Sequence, residues 1–484
     1  MKKCSVFIPL LFISLIISVL ISCAVNPVTG KRELMLLSED DEIQLGIQTD
    51  EQIIQTYGLY DDPELLEYIS EIGKRLVKLS HRPHLEFHFR LLDTPVINAF
   101  AVPGGYIYIT RGILAYLNSE AEFAGVLGHE IGHVTARHSA KQYTRAQLAQ
   151  LGLNVGMVLS DTFQKYAGLA QFGVGMLFLR FSRDNERQAD QLGVEYSSKA
   201  GYDATQMANF FINLQRVNPE ADRSGLPGWF STHPSPTDRV NSIKRLAAEW
   251  KQKLGRQNFE VDREEYLQKI DGLVFGEDPR QGFVEGGTFY HPTLAFQFPV
   301  PDKWKVINTP TQVQMVSPDE DAVIIFGLST TSSPGEAAVQ FLEKSKATVL
   351  TRKNVTVNRL PAYQIVSELT SPEGSFRLLS YFIQKDDNIF VFHGLTDPQR
   401  FEQYQRYFQS TMTQFRKLTD STKLNIQPDR IRIKKVSHSA ALQDVLRSFG
   451  IPEKDWETIS ILNGKKLTDM VQRNSLIKII ELGR

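Results

Sequence analysis

Residues 122–140 read EFAGVLGHEIGHVTARHSA, and the fold around them depends on whether this stretch is a helix. Ser119 with Glu122 three residues on is a capping-box start. A helix turns about 100° per residue, so His129 and His133 lie about 40° apart on one face. Two imidazoles so placed converge on one metal ion. Glu130 sits beside them but off the ligand line, where its carboxylate reaches water next to the metal. That is the logic of His-Glu-x-x-His: two ligands and one general base on a rigid element. The alternative is a helix that merely carries two hydrogen-bonded histidines.

A catalytic zinc needs a third protein ligand and an open position. SRDNERQAD, residues 182–190, supplies a candidate. Glu186 and Asp190 are four apart on a second predicted helix. Glu186 is placed to ligate, and Asp190 to hydrogen-bond a ligand histidine and set its tautomer. Upstream, NAFAVPGG, residues 98–105, reads as a strand entering a Pro-Gly-Gly turn. Asn98, Ala99, Phe100 and Ala101 either offer an edge to an extended substrate or form a structural hairpin. Downstream, THPSPTDRV, residues 232–240, places His233 and Arg239 after both metal helices. His233 is an oxyanion donor, a fourth ligand that keeps an enzyme latent, or a loop histidine that only packs. His138 falls about 180° from His129 on a continuing helix and reads as structural. His81, His84, His88, His291, His393 and His438 take no assignment.

Together with NPVTGK at residues 26–31, NAFAVPGGYIYITRGIL at 98–114 and SEAEFAGVLGHEIGHVTARHSA at 119–140, these motifs occur in a fixed order. The ordered set resembles the zinc metallopeptidase family of HtpX, the CAAX prenyl proteases and their periplasmic lipoprotein relatives, over about residues 24–250. The resemblance implies one Zn²⁺ per chain on His129, His133 and Glu186, with Glu130 as catalytic base. It implies a supporting catalytic role for Asp190. It also implies a mainly α gluzincin fold with a small β-sheet over the active-site helix. The implied substrates are polypeptides, namely misfolded or unassembled envelope proteins. The rival reading is an outer-membrane assembly factor, a chaperone-like binding protein with little turnover.

Lys2 and Lys3 precede the apolar run at residues 5–22, which ends in LISC, residues 20–23. This resembles a bacterial lipobox. It implies a signal peptide over 1–22 and lipidation at Cys23. The membrane would then hold the chain through a lipid anchor on the periplasmic side. Ala24, and not Asp, follows the cysteine, which favours the outer membrane. Cys4 would leave with the signal, so no disulfide is expected within the mature chain. The net charge is −1 with no long basic run, which argues against nucleic acid as a partner.

The 484 residues, 42% of them hydrophobic, suffice for several packed domains. The expected order is a metallopeptidase domain at 23–250, a Gly-rich linker at 251–285, an α+β domain at 286–418 and a βααβ module at 428–484. Residues 24–40 read as an extended tether. Residues 141–180 read as a mobile helical pair over the cleft or as core. Strand-like LAFQFPV, AVIIFGLS, AYQIVSEL, FRLLSYFIQ and NIFVFHGL define the α+β domain, with helices at 335–349 and near its end; it resembles a PsbP-type fold. The last module is similar to LysM in Leu462–Asn463 and RNSLIKII, but SHSAAL replaces the usual Gly-Asp-Thr-Leu start. Its expected role is peptidoglycan binding, a protein contact, or structural.

Overall fold

The computed structural model describes residues 23–150, 180–217, 228–233, 238–371 and 374–483. The signal-peptide reading and most of the lid reading at 141–180 fall outside the described residues. Among the described residues no helix is long and apolar enough to cross a membrane.

The His-Glu-x-x-His stretch is helical over Glu120–Thr135, and every residue of this motif helix is buried. A helix buried all round needs neighbours on every side. They are the helices Arg183–Ala200, Gln206–Leu214 and Pro63–Val77 and a small sheet. Ser119 accepts the Glu122 N–H at 3.2 Å, as expected. The return arm of the box differs: the Glu122 carboxylate accepts from Asn118 N–H at 2.7 Å, one residue earlier.

Small residues let the two site helices touch. A Cβ added to Gly193 would stand 2.9 Å from the His129 backbone nitrogen, and one on Gly128 would stand 3.1 Å from Gly193. Only bare backbone fits this seam, which brings Glu186 and Asp190 against the motif histidines. In the small sheet, Tyr106–Thr110 lies centrally, parallel to His88–Leu92 and antiparallel to Ala99–Val102. Ala99–Val102 is therefore an edge strand, and it lies against the motif helix. Gly104 and Gly105 turn the chain at φ 81° and 92°, where side chains are disfavoured.

Three expectations change. Residues 24–40 are no extended tether: Cys23–Val25 pairs with Arg32–Leu34 as a hairpin, and Glu39–Tyr57 is helical. Asn26 fixes the hairpin turn and donates to the Ala136 carbonyl at 3.4 Å, just past the end of the motif helix. The 251–285 stretch is no free linker. Tyr266, Leu267, Ile270 and Leu273 sit in the same apolar cluster as the motif helix, because the Gly-rich run follows a short amphipathic helix, Arg263–Lys269. The predicted helix at 335–349 spans Pro334–Ser345, and the chain then enters a strand, Thr348–Val357. That strand is almost wholly exposed, and its apolar residues, Val349, Leu350, Val355 and Val357, do not keep the alternation along its length that marks a half-buried strand.

Thr348–Val357 is one edge of a seven-stranded antiparallel sheet that ends at Lys305–Asn308. The helix Pro334–Ser345 covers one face. The helix Phe401–Met412 and a four-stranded sheet cover the other, around an aromatic core. The C-terminal module pairs Arg430–Lys435 with Leu476–Glu481 around two short helices. It is docked on the N-terminal domain. Lys478 is fully buried and its ammonium donates to the Ala115 and Leu117 carbonyls at 2.8 Å. Gly272 and Leu273 pair with Ile431 through backbone hydrogen bonds.

Candidate metal centre

His129, His133, Glu186 and His233 each offer one ligand atom, and these atoms all lie within 4.8 Å of one another. All four residues are fully buried. His129 Nε2 is 3.0 Å from His133 Nε2 and 3.3 Å from His233 Nδ1. Glu186 oxygens lie 3.1 Å from His233 Nδ1, 3.5 Å from His133 Nε2 and 3.6 Å from His129 Nε2. Tetrahedral ligands at zinc bond lengths of about 2.0–2.1 Å stand about 3.3 Å apart. The observed spacings bracket that value.

The tautomers support the same conclusion. His129 Nδ1 is 2.9 Å from Asp190 Oδ1, and His133 Nδ1 is 3.0 Å from His138 Nδ1. The Asp190 carboxylate places the His129 proton on Nδ1, and His138 does the same for His133 when its own proton faces Gln188 Oε1 at 3.0 Å, which leaves a lone pair on each Nε2. Two bare Nε2 atoms 3.0 Å apart, away from water, repel unless a cation lies between them. The donor set, three imidazoles and one carboxylate, suits zinc.

Burial lowers His129 and His133 well below the usual histidine range, so both stay neutral. Burial also lowers His138, to about 4. For His233 burial acts in the same sense, but the Glu186 and Glu130 carboxylates outweigh it and raise the group. Burial pushes Glu130 up to about 8, with His233 opposing. A cation at the cluster would draw Glu130 back toward the ionised form that a base requires.

Glu130 is fully buried, and neither oxygen has a hydrogen-bond partner among the described residues. Its Oε1 is 3.7 Å from His233 Nε2. The carboxylate is thus beside the ligand set and free to meet a water. Asp190 stands behind His129, and Arg239 holds Asp190 through Nη2 at 2.7 Å while lying 3.5 Å from Glu186. His233 caps a short helix, Trp229–Thr232, and stacks on Trp229 at 4.3 Å. That helix is tied to the loop leading into the edge strand by Trp229 N–H to the Ile97 carbonyl, at 3.0 Å.

The sequence-derived residues of the metal centre come together, whereas Asn98 and Phe100 of the upstream strand do not join them. Asn98 uses its backbone N–H and carbonyl on Thr110, at 3.2 and 3.1 Å. Phe100 stacks on Tyr108, in an apolar cluster separate from that of the motif helix. Ala99 and Ala101 sit on the motif-helix side, and the Ala101 carbonyl meets the Ser139 hydroxyl at 3.4 Å. The six unassigned histidines stay outside the cluster. His138 and Gln188 are the contributions that sequence reasoning missed. Helical phase points His138 away, and only a chain break could have signalled otherwise.

Residues 63–247 match the sequence profile of peptidase family M48. This segment is an M48 peptidase domain. Similar curated proteins include a putative beta-barrel assembly-enhancing protease of Vibrio cholerae, 32% identical over 44% of this chain and 46% of that one. The beta-barrel assembly-enhancing protease of Escherichia coli K12 is 32% identical over 44% of this chain and 45% of that protein. The mitochondrial metalloendopeptidase OMA1 of Schizosaccharomyces pombe is 29% identical over 46% of this chain and 66% of that one. The chain spans about half the length of the bacterial relatives it matches. Among solved structures, a PsbP from Synechocystis covers 28% of this chain and 98% of that one, at 11% identity and a TM-score of 0.24. That score is too low to fix the fold of the region. All the ligand-set residues, Glu130 and Asp190 lie inside the M48 domain.

Proposed function

We propose that the chain is a zinc metalloendopeptidase of the bacterial envelope that cleaves misfolded or unassembled envelope proteins. A lipid on Cys23 holds it to the membrane, on the periplasmic face and with the outer membrane favoured. The carrying observation is the buried set of three imidazoles and one carboxylate beside an unpaired Glu130. The M48 match and the names of the relatives support peptide-bond hydrolysis. The apolar run ending at Cys23 supports the anchor.

When bound, zinc supplies Lewis acidity to the scissile carbonyl and lowers the pKa of water. Glu130 accepts the proton of the attacking water and delivers it to the leaving amide nitrogen. Asp190 holds the Nδ1 proton of His129, and Arg239 holds Asp190. An extended substrate lies along the Ala99–Ala101 edge. Four protein donors leave no open position, however, and a catalytic zinc keeps one. His233 is therefore the latch, and it must leave the ligand set before substrate enters.

The rival reading, a binding protein with little turnover, draws on the same closure: every ligand and Glu130 is buried. The two separate in one experiment. Envelope extracts are incubated with wild type, Glu130→Gln and His233→Ala, and cleaved proteins are identified by mass spectrometry. A latched peptidase gives new termini with wild type, none with Glu130→Gln, and up to about tenfold more with His233→Ala if the open form is about one-tenth populated. Zinc stays near one per chain in all three. Equal, negligible cleavage by wild type and Glu130→Gln would leave the binding reading.

A further inference from the structure

We infer that His138 is a positioning residue for His133: with Gln188 it forms a relay that fixes the tautomer and ring angle of this metal ligand. The inference rests on the reading of His133 as a zinc ligand.

His133 can ligate through Nε2 only if its proton sits on Nδ1. In a site with no exposure that N–H needs a protein acceptor. The acceptor is His138 Nδ1, at 3.0 Å. His138 must then carry its own proton on Nε2, and that nitrogen faces Gln188 Oε1 at 3.0 Å. With the Gln188 oxygen facing His138, one assignment satisfies every atom: Gln188 oxygen accepts from His138, His138 accepts from His133, and His133 Nε2 is left bare toward Glu186 and His129. Moving any proton along this chain sets two donors or two acceptors face to face.

The relay exists because the helix stops. Five residues separate His133 from His138, so a continuing helix would place them about 140° apart. Arg137 adopts φ 57°, and a new helix, His138–Gln150, begins at once. This break is held from three sides. Arg137 Nε donates to Glu42 at 2.6 Å and its Nη2 to the Leu37 carbonyl at 2.8 Å. Glu42 also pairs with the buried Arg82, which takes the Val134 carbonyl at 3.1 Å. Asn26 takes the Ala136 carbonyl. The left-handed residue thus turns the His138 ring back onto His133.

The partner helix serves both motif histidines. Glu186 ligates, Asp190 one helical turn on supports His129, and Gln188 between them supports His133 through His138. His138 is fully buried and lies outside the donor group, so it acts only through His133.

The test is zinc affinity, read by competition with a chromophoric chelator on the full chain, with kcat/KM alongside. His138→Leu removes the acceptor and is expected to weaken zinc binding by about 10- to 100-fold. His138→Asn places an amide oxygen close to the lost Nδ1 and is expected to restore affinity to within about threefold of wild type. Gln188→Leu frees the His138 tautomer and should weaken binding less than His138→Leu does. It also serves if His138→Leu fails to fold. Wild-type affinity in both His138→Leu and Gln188→Leu overturns the relay, as does equal loss in His138→Asn and His138→Leu with native folding by circular dichroism. A wild type that binds no zinc, or a His133→Ala variant that binds it unchanged, overturns the metal reading itself and the relay with it.

Discussion

Around Glu130 the buried core is polar, and around Phe326 it is aromatic. In the M48 domain Glu130 Oε1 and Oε2, Glu186 Oε2, His233 Nε2 and Arg239 Nη1 are buried without hydrogen-bond partners. In the α+β domain, among the described residues, such atoms are Ser367 Oγ and Thr411 Oγ1. Phe326 there packs at 4.5–5.0 Å ring separation against Phe296, Phe298 and Phe392. Each unpaired buried polar atom costs about 1–3 kcal/mol. A fold keeps several in one place where a ligand, and not the chain, completes them. The second domain is built for stability, and the first gives up some stability for a site.

The largest expected effect tests the polar side. Glu130→Gln keeps the shape and removes the base, so turnover should fall by about 10²- to 10⁴-fold while zinc stays near one per chain. Zinc analysis with peptide-cleavage kinetics checks it, and loss of metal would mean that Glu130 is a ligand. The aromatic side is expected to answer differently. Phe326→Ala should destabilise its domain by about 3–5 kcal/mol in denaturant unfolding, with zinc affinity unchanged. A matching loss of zinc affinity would show that the two cores are one cooperative unit.

Gly193→Ala probes the seam with a smaller expected effect. Its Cβ meets backbone at 2.9 Å, so the site helices must part. The expected cost is about 1–3 kcal/mol, with weakened zinc binding. Gly335→Ala, in the first turn of Pro334–Ser345, meets nothing within 4 Å. It should stabilise by about 0.4–1 kcal/mol and leave zinc alone. Similar losses in both variants would mean that close helix approach does not build the site.

Much of the site was legible because helical phase is local. The spacing of His129 to His133 and of Glu186 to Asp190 places each pair on one face before any tertiary contact forms. The same local reasoning misled at His138, since a single left-handed residue, Arg137, resets the phase. Nothing in TARH marks that break; Glu42, Arg82 and Asn26 supply it from distant segments. Composition misled at 251–285 and 24–40, where Gly and turn residues suggested free chain. Few apolar residues, such as Tyr266 and Leu273, were enough to dock the first. Strand Thr348–Val357 escaped notice because an exposed edge strand needs no apolar face.

By itself the sequence determined which residues could ligate and which could act as base, because those roles follow from side-chain chemistry and a fixed helical repeat. Tertiary structure decided that His233 comes within reach of the His129, His133 and Glu186 donor atoms, that His138 turns back onto His133, and that the Asn98 backbone is already occupied. These depend on chain direction after a break and on contacts between segments far apart in sequence. Neither is encoded in any local spacing.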